Sequence, residues 1–313
     1  YLNDDYVKDI IFNNVALITG AGGSIGSELC FQISKFSPKE IILFEQTELF
    51  LYEIEMRIKS LFPNINIVAV VGDVRDIQTV ENIISKNKPS IIFHAAAYKH
   101  VPLMEENPGE ALITNVIGTN NIASMAAKYN VPRFVLVSTD KAVNPTNVMG
   151  ATKRAAEIAC HIISEDFPTT KFMVVRFGNV LGSSGSVIPL FKKQISNGGP
   201  VTVTHKNITR YFMSIPEACQ LILHAGAIGS GGELYVLDMG EPVKIKQLAE
   251  DMIRLNGLEP NVDIKIEYSG LRKGEKMFEE LLLDKENTIE TIHPKIRAAE
   301  RTLSDKSTRD KMN

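Results

Sequence analysis

The sequence predicts an α/β fold, a doubly wound parallel sheet carrying a smaller mixed C-terminal lobe. Three observations predict it. Short runs rich in Val, Ile, Leu and Phe recur at 15–19, 40–44, 66–71, 90–94 and 133–138, each closing on turn or polar residues. Amphipathic stretches at 25–36, 48–61, 79–87 and 110–129 separate them, and strand–helix alternation of this kind gives a parallel sheet covered on both faces. Beyond Gly178 the alternation breaks down.

Taken in order, residues 1–14 form a polar lead-in to the first strand, and the five strand–helix units follow. A sixth strand is expected at 171–177. Residues 178–200, rich in Gly, Ser and Pro, read as an extended loop entering a helix at 187–196. A helix at 216–228 and a strand at 233–237 return to the main sheet. From about Gly240 a smaller lobe holds a helix at 246–255, a strand at 263–267 and a helix at 276–282, and the polar last dozen residues are expected to fray.

The 313 residues bury a substantial core as one large or two intimate domains. A net charge of −3, with 44% hydrophobic and 23% charged residues, argues against nucleic-acid or membrane-surface binding driven by bulk charge. Cys30, Cys160 and Cys219 show neither pairing nor metal spacing, so reduced core thiols in the cytoplasm are expected, and no metal site is read. No run of about 18 apolar residues appears, so this segment is not expected to contact a membrane. The start at Tyr1 and the polar lead-in suggest a piece of a longer protein.

The first strand runs into Gly20-Ala21-Gly22-Gly23-Ser24-Ile25-Gly26, and a helix follows. Gly20, Gly23 and Gly26 allow a tight turn, close approach of backbone to a pyrophosphate, and helix–strand packing. The helix start at Ser24 and Ile25 offers free N–H groups and a positive dipole end. The strand–turn–helix setting makes this a dinucleotide site rather than a chance glycine pattern. Glu45, 19 residues beyond Gly26, closes the second strand, where a carboxylate accepts both ribose hydroxyls and repels a 2′-phosphate. Gln46 and Thr47 follow it with no arginine, so NAD is favoured over NADP. Asp73 and Val74 after the third strand would face the adenine, and Ala95, Ala96 and Ala97 are small enough to lie against a dinucleotide. The expected division is 11–178 plus 205–239 for the dinucleotide-binding domain and 179–204 plus 240–300 for the sugar-nucleotide lobe.

The glycine motif, Gly72-Asp-Val-Arg-Asp76, His94-Ala-Ala-Ala97 and Asn115-Val-Ile-Gly-Thr119 resemble the extended short-chain dehydrogenase/reductases, which have the Rossmann fold. Ala97-Tyr-Lys-His-Val-Pro102, Ser138-Thr-Asp-Lys-Ala142 and Leu271-Arg-Lys-Gly-Glu-Lys276 are more specific, and resemble the bacterial UDP-N-acetylglucosamine 4,6-dehydratases. The resemblance covers about residues 11 to 285. It departs at one place. Where the superfamily carries a Tyr-x-x-x-Lys pair, this chain has Met149-Gly-Ala-Thr-Lys153, and methionine cannot act as a general base. A branch of the dehydratases carries this methionine. The chain resembles the soluble catalytic domain of that membrane-anchored branch, the Campylobacter-type enzymes of bacillosamine synthesis and protein glycosylation. The resemblance implies an inner-membrane anchor ahead of this segment and retained configuration at carbon 5.

It also implies roles. Thr139, Asp140 and Lys141 stand where a parallel sheet places reactive groups, at the end of the fifth strand. By analogy with the Thr-Asp-Glu of glucose-nucleotide dehydratases, Thr139 orients the carbon 4 hydroxyl. Asp140 is the acid for the carbon 6 hydroxyl, and Lys141 the base for carbon 5. Asp140 must then be protonated and Lys141 neutral at the elimination. Lys153 binds the nicotinamide ribose. Which group takes the carbon 4 hydroxyl proton is left open between water relayed to Lys153 and Asp140 itself. Asn179, with Ser186, Val187 and Pro189 at a helix start, is expected to hold the uracil and diphosphate. Arg210 and Arg272 are the expected diphosphate cations and Glu275 the ribose acceptor, with Lys99 and His100 above the sugar. The partner is thus the substrate UDP-N-acetylglucosamine, with a homodimer through helices around 110–129 and 152–164. The rival readings are a UDP-hexose 4-epimerase or reductase, which has no use for an acid–base pair, and a non-catalytic sensor of NAD and UDP-sugar.

Overall fold

A computed structural model describes residues 4–282 and 287–299; the polar tail expected to fray lies outside the described residues. The main sheet has nine strands. They are β1 Val15–Thr19, β2 Glu40–Glu45, β3 Asn66–Val71, β4 Ile91–His94, β5 Arg133–Val137, β6 Lys171–Arg176, β7 Glu233–Leu237, β8 Thr288–Glu290 and β9 Ile296–Ala299. Their order is β8-β9-β7-β6-β5-β4-β1-β2-β3. The first seven pair in parallel, and β8 and β9 close the far edge antiparallel. The chain leaves β1 towards β2 and β3, then returns to its other side as β4. That reversal opens a crevice beyond the carboxyl ends of β1 and β4.

Alternate residues of each strand feed opposite faces. Ala16, Ile18, Ile41 and Leu43 join the core beneath the helices Ser24–Ser34 and Ile215–Ile228. Leu17, Ile42, Phe44 and Phe134 join the core beneath Ile77–Asn87, Thr119–Lys128 and Val148–Asp166. The smaller lobe packs the helices Val187–Ser196 and Ile245–Leu255 over the parallel strands Val201–Val203 and Ile266–Tyr268, around Phe191, Val201, Ile253 and Ile264. All three cysteines are buried and free. Among the described residues no helix is long and apolar enough to cross a membrane.

Several elements differ from the sequence reading. The lead-in holds a helix, Asp5–Ile11, whose Val7 and Ile11 are buried against Ile215–Ile228; its apolar spacing is too short to stand out. The expected helix over 110–129 is three pieces: Pro108–Ala111, a π-helical Leu112–Gly118, and Thr119–Lys128. The widened turn carries buried Asn115, whose amide bonds both backbone groups of Tyr98 and the Thr152 hydroxyl. Residues 276–282 are not helical, because the carbonyls of Lys276 and Met277 accept from the Arg210 guanidinium instead of from amides one turn on. Strands β8 and β9 were not anticipated, being short and half polar.

One buried ion pair ties the layers together at the carboxyl ends of β5 and β6. Glu157, on the Val148–Asp166 helix, accepts from Arg176 Nε at 2.8 Å on one oxygen and from Arg176 Nη2 at 2.7 Å on the other. The first oxygen also accepts from the Ser138 hydroxyl at 2.6 Å, the second from Arg154 at 3.1 Å. Burial by itself would raise the Glu157 carboxyl; Arg176 and the Ser138 bond outweigh it and hold the group below the usual range. Removing one partner strands the other charge in the core. Arg176→Met should therefore destabilise the fold by about 3 kcal/mol or more, read from denaturant melts; a loss under about 1 kcal/mol would show the pair to be dispensable.

Candidate active site

Beyond the carboxyl ends of β1, β2 and β4 lies a cleft of about 220 Å³, lined by Gly20, Gly23, Glu45, Gly72, Asp73, Val74 and Ala95 to Ala97, with Phe44, Phe50, Tyr98 and Thr114. Its walls touch each other. A Cβ on Gly20, which has φ +65°, would stand 2.9 Å from Ala96 Cα, and one on Gly26 would fall on the Gly20 carbonyl oxygen. Glu45 Oε2 accepts from Gly22 N–H at 3.1 Å and Oε1 from Thr47 N–H at 3.0 Å. Each oxygen keeps a lone pair for a ribose hydroxyl. Asp73 is turned to Arg75, which also reaches Glu110. A glycine-walled crevice with an acid at its far end fits a dinucleotide.

The wall is held from behind by His94. Thr119 Oγ1 donates to the Asn115 carbonyl, so it accepts from His94 Nε2–H at 2.9 Å; Nδ1 then accepts from Thr19 Oγ1 at 2.6 Å. Thr19 Oγ1 in turn accepts from Ala96 N–H at 3.4 Å. Burial, and next the charge of Lys153, lower the His94 pKa to about 3.

The second half of the site follows β5. Thr139 caps a 3₁₀ turn, Asp140–Ala142, and its hydroxyl donates to Asp140 Oδ1 at 2.9 Å. Lys141 Nζ donates to the same Oδ1 at 2.9 Å and to Asn179 Oδ1 at 3.2 Å. Asp140 is fully buried, and its Oδ2 has no hydrogen-bond partner among the described residues. Gly150 makes this approach of helix to turn feasible, since a Cβ there would fall on the Lys141 carbonyl oxygen. Lys153, one turn further, is buried and donates to Val137 O at 2.7 Å; burial lowers its pKa to about 8 against the pull of Glu157. Met149 lies in an apolar group with Met104, Ala111 and Tyr98, a packing position with no proton to give.

The expected substrate residues gather unevenly. Asn179 meets Lys141. Ser186 precedes the Val187–Ser196 helix, its hydroxyl without a partner among the described residues, with Val187 and Pro189 half-buried in the first turn. The ring of exposed His100 lies over Gly185, so that the 182–186 loop runs from His100 towards Ser24, whose hydroxyl accepts from Ser184 N–H. Lys99 is exposed. Arg210, expected to face a diphosphate, instead gives its donors to the carbonyls of Thr209, Lys276 and Met277 and to Glu275 Oε1 at 3.3 Å. Glu275 thus meets Arg210, and its other oxygen accepts from Arg272 N–H. Arg272 itself is exposed.

Three residues the sequence reading did not single out belong here. Asn115 and Glu157 have been described. Glu279 is buried, 4.0 Å from Lys141 Nζ and 3.9 Å from Arg210 Nε. An arginine ending an apolar strand, Arg176, was the one visible sign of the buried pair.

The family model for "Polysaccharide biosynthesis protein" matches residues 16–301. The chain belongs to this family. It is 54% identical over 285 residues to the capsular polysaccharide biosynthesis protein CapD of Staphylococcus aureus, covering 91% of this chain and 47% of that protein. It is thus similar to about half the length of that relative. An inverting UDP-N-acetylglucosamine 4,6-dehydratase of Campylobacter jejuni is 35% identical, covering 84% and 75%. A UDP-glucose 4-epimerase of Rickettsia canadensis is 36% identical, covering 85% and 76%. Among solved structures, Pen from Bacillus thuringiensis superposes with a TM-score of 0.85 at 35% identity, covering 94% of this chain and 88% of Pen. A dTDP-glucose 4,6-dehydratase of Streptomyces venezuelae with NAD bound shares the fold, with a TM-score of 0.73 at 21% identity over 84% and 86% of the two chains.

The His94 arrangement has a pH consequence. An unfolded histidine takes a proton near 6.5, the folded one only near 3, so between those values the unfolded state binds more protons. Stability is therefore lost as pH falls through this window, His94 contributing up to about 1.4 kcal/mol per pH unit. Equilibrium melts of the protein and of His94→Gln from pH 7 to 4 should show a shallower decline in the variant; parallel declines would contradict a neutral buried imidazole.

Proposed function

We propose that this chain is the catalytic part of a sugar-nucleotide 4,6-dehydratase that takes UDP-N-acetylglucosamine. The observation that carries the reading is the Asp140–Lys141 pair at the carboxyl end of β5, 2.9 Å apart, its aspartate fully buried and Oδ2 without a hydrogen-bond partner among the described residues. An epimerase needs no acid–base pair for elimination; a dehydratase does.

NAD would lie in the glycine-walled cleft, held by 20–26, Glu45, Asp73–Val74 and Ala95–Ala96, with Lys153 beneath the nicotinamide ribose. Bound there, it would supply a reversible hydride acceptor for carbons 4 and 6, so that no cofactor would be consumed. The chain's own residues do the proton work. Thr139 aligns the carbon 4 hydroxyl. The resulting ketone acidifies carbon 5, Lys141 Nζ takes that proton, and Asp140 protonates the carbon 6 oxygen so that it leaves as water. Asn179 holds Lys141 in place. Ser186, Val187 and Pro189 offer a helix start to the uridine diphosphate, Arg272 a cation, and Glu275 an acceptor for the ribose; Arg210 adds its charge from behind 275–277. Lys99 and His100 cover the sugar. Met149 supports retention at carbon 5 by resemblance alone, and the Campylobacter relative is an inverting enzyme.

The sequence resemblance pointed to bacillosamine and protein glycosylation, whereas the relative at 54% identity serves a capsular polysaccharide; the latter use is the one proposed. We further propose a homodimer across the exposed Leu112, Ile113 and Ile117 of the π-helical segment, and a membrane anchor supplied outside this chain on the cytoplasmic side. The Rickettsia relative favours a second reading, a 4-epimerase.

Incubation of the protein with UDP-N-acetylglucosamine, without added cofactor, should yield a nucleotide sugar lighter by one water, read by mass spectrometry. An unchanged mass with a 4-epimer present would replace the reading with the second one. Lys141→Met should keep substrate and NAD binding within about twofold while lowering kcat at least about a hundredfold; full activity in that variant would remove Lys141 from its role.

A further inference from the structure

We propose that Glu279 is a positioning residue for the charge of Lys141, taking one proton from its ammonium so that the amine is free to act as base. The inference rests on the dehydratase reading above and adds a residue to it. The geometry has three parts. Glu279 Oε1 lies 4.0 Å from Lys141 Nζ, and the charged groups facing it are Lys141, Asp140, Arg210 and Lys276. Glu279 is buried, yet its Oε2 has no hydrogen-bond partner among the described residues. A carboxylate with one oxygen left bare in a closed site is costly, while a neutral carboxyl group leaves only a carbonyl oxygen there. The surroundings thus tolerate the protonated form. Burial first, and Asp140 after it, raise the Glu279 carboxyl above its usual range against the opposing pull of Lys141, Arg210 and Lys276.

The proton count shows the need. At rest Asp140 and Lys141 form an ion pair. If Asp140 takes the proton of the carbon 4 hydroxyl, which no tyrosine is present to take, it becomes the acid that carbon 6 requires. Lys141 still carries three hydrogens and cannot accept the carbon 5 proton. One N–H bond of Lys141 must break and one O–H bond must form nearby. Glu279 is the carboxylate in reach once the 4.0 Å gap closes to hydrogen-bond length, about 2.8 Å. Lys141 then takes the carbon 5 proton, Asp140 gives its own to the departing hydroxyl, and Lys141 returns a proton to carbon 5. The proton on Glu279 goes back to Lys141, and the starting state is restored. The water released contains the former carbon 4 hydroxyl proton, so the balance closes.

The test compares wild type, Glu279→Gln and Glu279→Asp by kcat and KM for UDP-N-acetylglucosamine across pH, with thermal melts to establish folding. Glu279→Gln should lower kcat at least tenfold near neutral pH with KM within twofold. Its kcat should climb as pH rises, because solvent hydroxide then strips Lys141 instead. Glu279→Asp should restore part of kcat at neutral pH. Wild-type kcat in Glu279→Gln, or a loss that is the same at every pH and is not relieved by aspartate, overturns the inference while leaving the dehydratase reading intact. Should Glu279→Gln fail to fold, Glu279→Asp decides by its own profile, a pH dependence superimposable on wild type being the contradicting result. A wild-type protein that forms no dehydrated sugar at any pH overturns both together.

Discussion

The carboxyl edge of β5 and β6 depends on the buried pair Glu157–Arg176. Arg176 ends β6, Ser138 follows β5, and Glu157 faces both from the Val148–Asp166 helix, all four of its acceptor positions filled. Such a pair gains little over apolar packing in stability, but it admits a single registry of helix on sheet. The same helix face repeats the contact one turn back, where Lys153 donates to Val137 O, and again where Gly150 lies under the Lys141 carbonyl. Three successive anchors leave the turn of Thr139, Asp140 and Lys141 little freedom, and that lack of freedom is what an acid–base pair requires.

Arg210 plays the corresponding part for the smaller lobe. By capturing the carbonyls of Lys276 and Met277 it denies this segment a helix, and it draws Glu275 and Glu279 towards the β5 edge. A cation that a motif reading assigns to a phosphate is thus spent on folding the loop. The effect is to put a buried carboxyl beside Lys141, where the sequence shows only a charged, helix-like stretch.

This marks the limit of what could be read in advance. The seven parallel strands of the main sheet were legible because buried parallel strands are near-continuous apolar runs, and the cofactor cleft because the glycines 20, 23 and 26 admit few other uses. The Asp140–Lys141 pair was legible by its place after β5. What escaped depends on contacts between distant residues: Asn115 widening its helix to reach Tyr98, Glu157 crossing to Arg176, and Glu279 arriving beside Lys141 from 138 positions away. The helix Asp5–Ile11 escaped for a different reason, its two buried side chains being too few to set a period. Met149, which the sequence places at the superfamily's tyrosine position, lies among apolar side chains, a setting its motif alone did not show.

That methionine makes the fate of the carbon 4 hydrogens the central issue. The decisive measurement is to supply UDP-N-acetylglucosamine carrying deuterium at carbon 4 and to locate the label in the product by nuclear magnetic resonance. The account predicts a dehydrated 4-keto sugar with the deuterium on carbon 6 of the same molecule. Deuterium remaining on carbon 4 of an epimerised, undehydrated sugar would contradict it.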